Sequence, residues 1–98
     1  MAGPLSHIKV LDLSRVLAGP WSTQILGDMG AEVLKIEKPG SGDDTRGWGP
    51  PFSKNADGSQ GDAAYFHCTN RNKISLSIDI ATEDGQAQII ELVKECDI

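Results

Sequence analysis

Apolar residues recur along this chain in two rhythms. From His7 to Leu13 they come almost without a break, as Ile8, Val10, Leu11 and Leu13. A short run of this kind marks a strand buried in a parallel sheet. The spacing then becomes helical, with Trp21, Ile25, Leu26 and Met29 predicting one buried face. Pro20 suits the first helical position, where an N–H has no intrahelical partner, and Gly30 suits a left-handed stop. Val33, Leu34 and Ile36 make Glu32 to Glu37 a second strand. Lys73 to Ile80 alternates Ile74, Leu76, Ile78 and Ile80 against Ser75, Ser77 and Asp79, which predicts a third strand with one drier face. Thr82 caps a last helix, Glu83 and Asp84 favour its N-terminal end, and Ile89, Ile90, Val93 and Cys96 form its expected buried stripe.

Residues 38–61 break both rhythms. Lys38 to Asp44 is turn chemistry, Pro50-Pro51 forbids regular structure, and 55–61 is a polar, glycine-bearing surface excursion. A loop this long is functional more often than merely connecting. Residues 62–69 suit a short helical turn. Strands alternating with helices imply parallel pairing through right-handed crossovers. The expected fold class is therefore α/β: a Rossmann-like parallel sheet in the order β-α-β-loop-β-α. Three strands and two helices leave a sheet edge open, and Asp97-Ile98 reads as the opening of another strand. Residues 1–98 are thus expected to be the N-terminal part of a larger domain.

Composition narrows the classes. The chain has 98 residues, 39% apolar and 23% charged, a globular profile rather than a disordered one. No apolar run approaches the ~20 residues of a membrane span, so no membrane partner is expected. Met1-Ala2-Gly3-Pro4 carries neither a secretory signal nor a myristoylation pattern. Cys68 and Cys96 fit no zinc or redox spacing. No metal is expected, and the cytoplasm or an organelle matrix is the expected compartment. A net charge of −5 argues against nucleic acid as a partner. The charge is uneven, however. Residues 35–73 carry six basic and five acidic side chains, whereas 74–98 carry one basic and six acidic. An anion would meet favourable local charge only in the middle of the chain.

In an open parallel sheet, ligands bind beyond the carboxyl ends of the strands. Arg15 to Pro20, Lys38 to Trp48 and Ile80 to Thr82 converge there. A helix start, two glycines that let backbone approach a ligand, Lys38 and Arg46 together make a candidate phosphate site, although Gly40-Ser41-Gly42 alone is an ordinary turn. Glu37 ends the second strand where a dinucleotide enzyme places its ribose-binding acid. The chain has no G-x-G-x-x-G, and its first turn has a single glycine, which disfavours a nicotinamide-dependent oxidoreductase. His7 and His67 read as surface or strand-end residues, Asp43-Asp44 as a solvated turn, and Arg71 and Lys73 as strand-edge charges or pocket residues. Trp48 either covers a ligand or pins the loop. Two readings stay open from the residues: a segment of a nucleotide-handling enzyme, or a non-catalytic half-Rossmann nucleotide-binding module.

Three ordered blocks carry a resemblance. Val10-Leu11-Asp12-Leu13-Ser14-Arg15-Val16-Leu17-Ala18-Gly19-Pro20 is similar to the opening motif of the class III CoA-transferases. Leu26 to Asp43, continued by Thr45-Arg46 and Trp48-Gly49-Pro50-Pro51, resembles a second signature, and Asn70-Arg71-Asn72-Lys73 with Ser75-Leu76 and Ile78-Asp79 a third. The resemblance implies a transferase moving CoA between carboxylic acids, with CoA or acyl-CoA and a carboxylic acid as partners. It also implies a large Rossmann-like CoA-binding domain, of which residues 1–98 are the N-terminal part, and an interlocked homodimer at full length. The family nucleophile is an aspartate lying beyond residue 98, so no catalytic residue is expected here. Matching positions imply CoA contacts at Val16, Leu17 and Ala18 beside the thiol arm, at Lys38 by the adenine nucleotide, and at Ile78, Asp79, Ile80 and Ala81 along the adenine pocket. Leu17 offers no hydrogen bond to an oxalate-like carboxylate, so oxalate is not the expected acceptor. The loop from Gly42 to Pro51 favours the transferase branch over the acyl-CoA racemases of the same superfamily.

Overall fold

The computed structural model describes residues 3–98; the reading of the N-terminal tetrapeptide falls partly on Met1 and Ala2, which lie outside them. The elements run β1 (Lys9–Asp12), α1 (Ala18–Asp28), β2 (Glu32–Glu37), a 3-10 turn (Asp44–Gly47), β3 (Phe52–Lys54), β4 (Gln60–Ala63), α2 (Ala64–His67), β5 (Lys73–Ser77) and α3 (Glu83–Val93). The fold is α/β, with β1, β2 and β5 forming one parallel sheet in that order. The backbone of Asp97 and Ile98 bonds along the outer edge of β1: the Asp97 N–H donates to the Lys9 carbonyl and the Leu11 N–H to the Ile98 carbonyl. The expected opening of a further strand is therefore where the chain lies.

Register decides which side chains share a face. Val10 pairs with Val33, Asp12 with Lys35, and Val33 with Lys73. Because side chains alternate along a strand, one face carries Val10, Asp12, Val33, Lys35, Glu37, Lys73, Ser75 and Ser77. The other carries Leu11, Leu34, Ile36, Ile74 and Leu76. The first face is apolar at the strand starts, where Val10, Ala31 and Val33 pack with Leu5, Ile8 and Leu26. It is charged at the strand tips.

Four expectations are corrected. The loop over 38–61 is not without regular structure: it holds the 3-10 turn, β3 and the start of β4, which pair as an antiparallel hairpin. Its tip closes because the Asp57 carboxylate accepts both the N–H and the hydroxyl of Ser59. Helix α1 does not bury Trp21, Ile25 and Met29, which stand exposed; Pro20 and Gln24 are its buried residues. Gln24 faces inward because its side-chain amide donates to the Cys68 carbonyl at 3.1 Å and accepts the Arg71 N–H at 3.0 Å. The α3 stripe is also bare, with Ile90 and Val93 exposed and Ile89 and Cys96 half-buried. Finally, β5 stops at Ser77, and its alternation does not set burial: Ile74 is exposed while the Lys73 side chain is 2% exposed.

Candidate functional site

The tips of β1 and β2 are built from buried charges. Asp12 accepts bonds from the Ser14 N–H and hydroxyl, the Thr23 hydroxyl and the Lys73 ammonium. Burial opposes its ionisation, but these donors outweigh burial and hold its carboxyl below the ordinary range. Lys73 also donates to the Pro20 carbonyl and to Asn70; burial pushes its ammonium down despite Asp12. Lys73 is thus an interior strut, not a strand-edge charge. Next to it, Lys35 donates to the Ser14 carbonyl at 3.1 Å and to Asp43 at 2.9 Å. Asp43 is therefore buried rather than solvated, and its other oxygen caps the 3-10 turn through the N–H and hydroxyl of Thr45.

Glu37 completes the cluster. Burial raises its pKa, yet Arg46, the Asp43 N–H and Ser75 overcome that and bring it to about 2. Arg46 makes two bonds to Glu37, one to Asp62 at 2.6 Å, and lies 3.8 Å from the centroid of the Phe66 ring. Arg46 is committed to internal partners and is not a free phosphate ligand. Each oxygen of Glu37 already accepts two hydrogen bonds, so it is not set out as a ribose-binding acid. Gly42 makes the approach possible: its φ is +67°, and a side chain there would run into Glu37 and Arg46.

A cleft of about 430 Å³ opens over these tips, within the range of small-molecule sites. Leu13 and Arg15 form one wall, Lys38, Gly42 and Asp43 a second, and Ile78 to Ala81 the third. Five expected contacts, Lys38, Ile78, Asp79, Ile80 and Ala81, therefore meet in one place. The Lys38 side chain is exposed and makes no ion pair or hydrogen bond among the described residues, while its carbonyl accepts the Gly42 N–H at 2.9 Å. The Asp79 carboxylate is turned to the Ala81 N–H at 3.0 Å, which tightens the third wall. Val16, Leu17 and Ala18 do not line this cleft; they lie further along the turn that carries Leu13 and Arg15, at the start of α1. Val16 has a φ of +77°. For a β-branched side chain that conformation costs on the order of 1–3 kcal/mol and persists only where the surroundings enforce it. Trp48 packs edge-on against Tyr65, with ring centroids 5.4 Å apart, so it pins the loop. Among the described residues, no three His, Cys, Asp or Glu side chains gather as a metal site, and no helix is long and apolar enough to cross a membrane.

The CoA-transferase family III model matches residues 5–98, nearly the whole chain. The chain belongs to that family. It is 55% identical over 95 residues to the succinate–glutarate CoA-transferase of Agrobacterium fabrum, covering 97% of this chain and 24% of that protein. It is 50% identical over 95 residues to the human succinyl-CoA:glutarate CoA-transferase, covering 97% of this chain and 20% of that one. A CAIB/BAIF family protein from Brucella suis superposes with a TM-score of 0.90 at 49% identity, over 99% of this chain and 25% of that chain. The chain thus spans a fifth to a quarter of the length of these relatives. In this family III chain, the interior charges Asp12, Lys35 and Asp43 escaped sequence reasoning as parts of the site. A signal was present for two of them: Asp12 stands between Leu11 and Leu13, and Lys35 between Leu34 and Ile36, so each is a charge inside an apolar strand.

Proposed function

We propose that this chain is the CoA-binding N-terminal segment of a transferase that moves CoA between carboxylic acids. The observation that carries the reading is a cleft at the strand tips, with a lysine free at its mouth, in a chain matched along its length by CoA-transferase family III. Lys38 meets a phosphate of the nucleotide, and Ile78, Asp79, Ile80 and Ala81 border the adenine. Val16, Leu17 and Ala18 lead from the cleft toward the thiol arm. Relatives named for succinate and glutarate, together with an apolar Leu17, favour such dicarboxylic acids over oxalate. The aspartate that takes up the acyl group and then CoA belongs to the rest of the longer protein. Consistent with this, the buried carboxylates here are all spent on internal partners. The full-length protein is read as an interlocked homodimer, in the cytoplasm or an organelle matrix, acting without metal, nucleic acid or membrane.

Calorimetric titration of the chain with CoA and, separately, with NAD tests the binding reading: CoA should bind and NAD should not. Lys38→Ala should weaken CoA by about fivefold with unchanged stability, the scale of one exposed ion pair. Equal affinity for CoA and NAD would remove the assignment. Grafting residues 1–98 onto the remainder of the Agrobacterium relative should give succinate–glutarate transfer, whereas the chain alone should give none.

A further inference from the structure

Lys35 stands in the central strand with about 1% of its side chain exposed, and its buried partner Asp43 shows 0%. Replacing such a pair with apolar or neutral groups is often neutral for stability, so stability alone does not account for it. Its connections do. The ammonium holds the Ser14 carbonyl on the wall after β1 and the Asp43 carboxylate on the wall after β2. Lys35 is itself among the residues that line the cleft between them. The other ion pair joining these two walls, Arg15–Asp44, is 3.7 Å long and more than half exposed at both ends, so solvent and salt weaken it. Ser14 is further fixed by Asp12 through its N–H and hydroxyl. Gly19 lets the start of α1 lie against Ser14, where any side chain would collide. Two residues on, Val16 is held in its left-handed conformation.

We propose that Lys35, through Asp43 and the Ser14 carbonyl, is the positioning residue that sets the separation of the two walls of the CoA cleft and holds the Val16 turn in its strained form. The proposal rests on the CoA reading above, and its test separates the two. Lys35→Met alone leaves the Asp43 carboxylate buried without its counter-charge, and should lower the folding equilibrium constant about a hundredfold or more. Lys35→Met/Asp43→Asn removes both charges and retains an oxygen for Thr45, so its unfolding midpoint in urea should return close to that of the unaltered chain. In that double variant, CoA affinity should still be at least tenfold weaker, and amide exchange across 14–18 and 43–47 at least tenfold faster. A purely structural pair would recover both with stability. A folded double variant that binds CoA as the unaltered chain does overturns the proposal, whatever its exchange rates. If the unaltered chain binds no CoA, the functional reading fails, and exchange alone decides: unchanged rates refute the wall-spacing role and faster rates sustain it. Should the double variant not fold, Lys35→Gln/Asp43→Asn carries the same readouts, because it too leaves no unpaired charge and its amides can bond one another while the ammonium bridge to Ser14 is gone.

Discussion

The two faces of the parallel sheet distribute their chemistry in opposite ways. The face bearing Asp12, Lys35, Glu37 and Lys73 is rich in charge, and those side chains are almost wholly buried. The face bearing Leu11, Leu34, Ile36, Ile74 and Leu76 is apolar, yet Ile74 stands 49% exposed, and α3 leaves Ile90 and Val93 bare. Leu34 and Ile36 are buried on that face, at 7% each, so burial here follows hydropathy in the central strand but not at Ile74 or along α3. The charged face is finished because every buried side-chain donor and acceptor among the described residues has a partner. Such a network has directional bonds and one satisfied arrangement. The apolar face has no such requirement; a segment spanning a fifth to a quarter of its relatives' length need not cover it by itself. The order that shapes the cleft therefore comes from ion pairs and hydrogen bonds, not from a large hydrophobic core.

The largest effect expected from this contrast comes from removing one partner on the charged face. Asp12→Ala takes away the acceptor of four bonds and leaves the Lys73 ammonium, 2% exposed, without its carboxylate. Breaking a buried pair in this way costs about 3–5 kcal/mol, a large part of the ~5–15 kcal/mol that holds a native domain together. Urea denaturation followed by circular dichroism measures it. A loss below about 1 kcal/mol would mean that the charged face does not hold the fold. Adding Lys73→Met to Asp12→Ala should recover most of the loss, since no unpaired charge then remains.

Acid titration is the next largest probe. Glu37 has its folded pKa depressed from 4.5 to about 2 by Arg46, the Asp43 N–H and Ser75 acting against burial. A depressed carboxylate contributes stability that is fully present above pH 4.5 and is lost as pH falls toward 2. The contribution is on the order of 3 kcal/mol. Asp12 and Asp43 are also lowered and add to the fall in the same direction. Stability measured in urea from pH 7 down to pH 2 should therefore hold and then decline, and Glu37→Gln should make the decline shallower. A stability that rises on acidification would contradict the assigned ion pairs.

The contrast also explains what could be read in the sequence. Parallel β-α-β order was legible because β1 and β2 are dense apolar runs and Gly30, at a φ of +105°, ends the helix between them; Pro20 did not mark the helix start, which lies two residues earlier at Ala18. The third strand and the Thr82 cap were legible for similar local reasons; the cap accepts the Gly85 N–H at 3.0 Å as such caps do. Of the third wall, Ile80 and Ala81 followed from placing ligands at strand tips, whereas Ile78 and Asp79 came only with the family resemblance. What was not legible depends on contacts distant in sequence. Periodicity placed Trp21 and Ile25 inward, but Gln24 turns inward to reach Cys68 and Arg71, more than forty residues on. Lys73 looked like an edge charge because its partner Asp12 is 61 residues away. Arg46 looked free because a local count of charge cannot show that Glu37 and Asp62 already hold it.

The smallest expected effect lies on the apolar face and sharpens the contrast from the other side. Ile90 is 59% exposed and Val93 54%, on a helix with no buried apolar residue; Gly85 is its one buried position. Serine at either site removes little surface from contact with the fold, and exposed substitutions usually change stability by less than about 0.5 kcal/mol. Helix propensity falls by only a few tenths of a kcal/mol between isoleucine and serine, so the α3 backbone should persist. The double variant Ile90→Ser/Val93→Ser should unfold at the same urea concentration as the unaltered chain, with the same circular dichroism. A drop comparable to that of Asp12→Ala would show that α3 is seated in a core, and the stability of the segment would then rest on both faces of the sheet. Unchanged stability, beside a collapse on the charged face, would locate the strength of the segment at the strand tips that form the cleft.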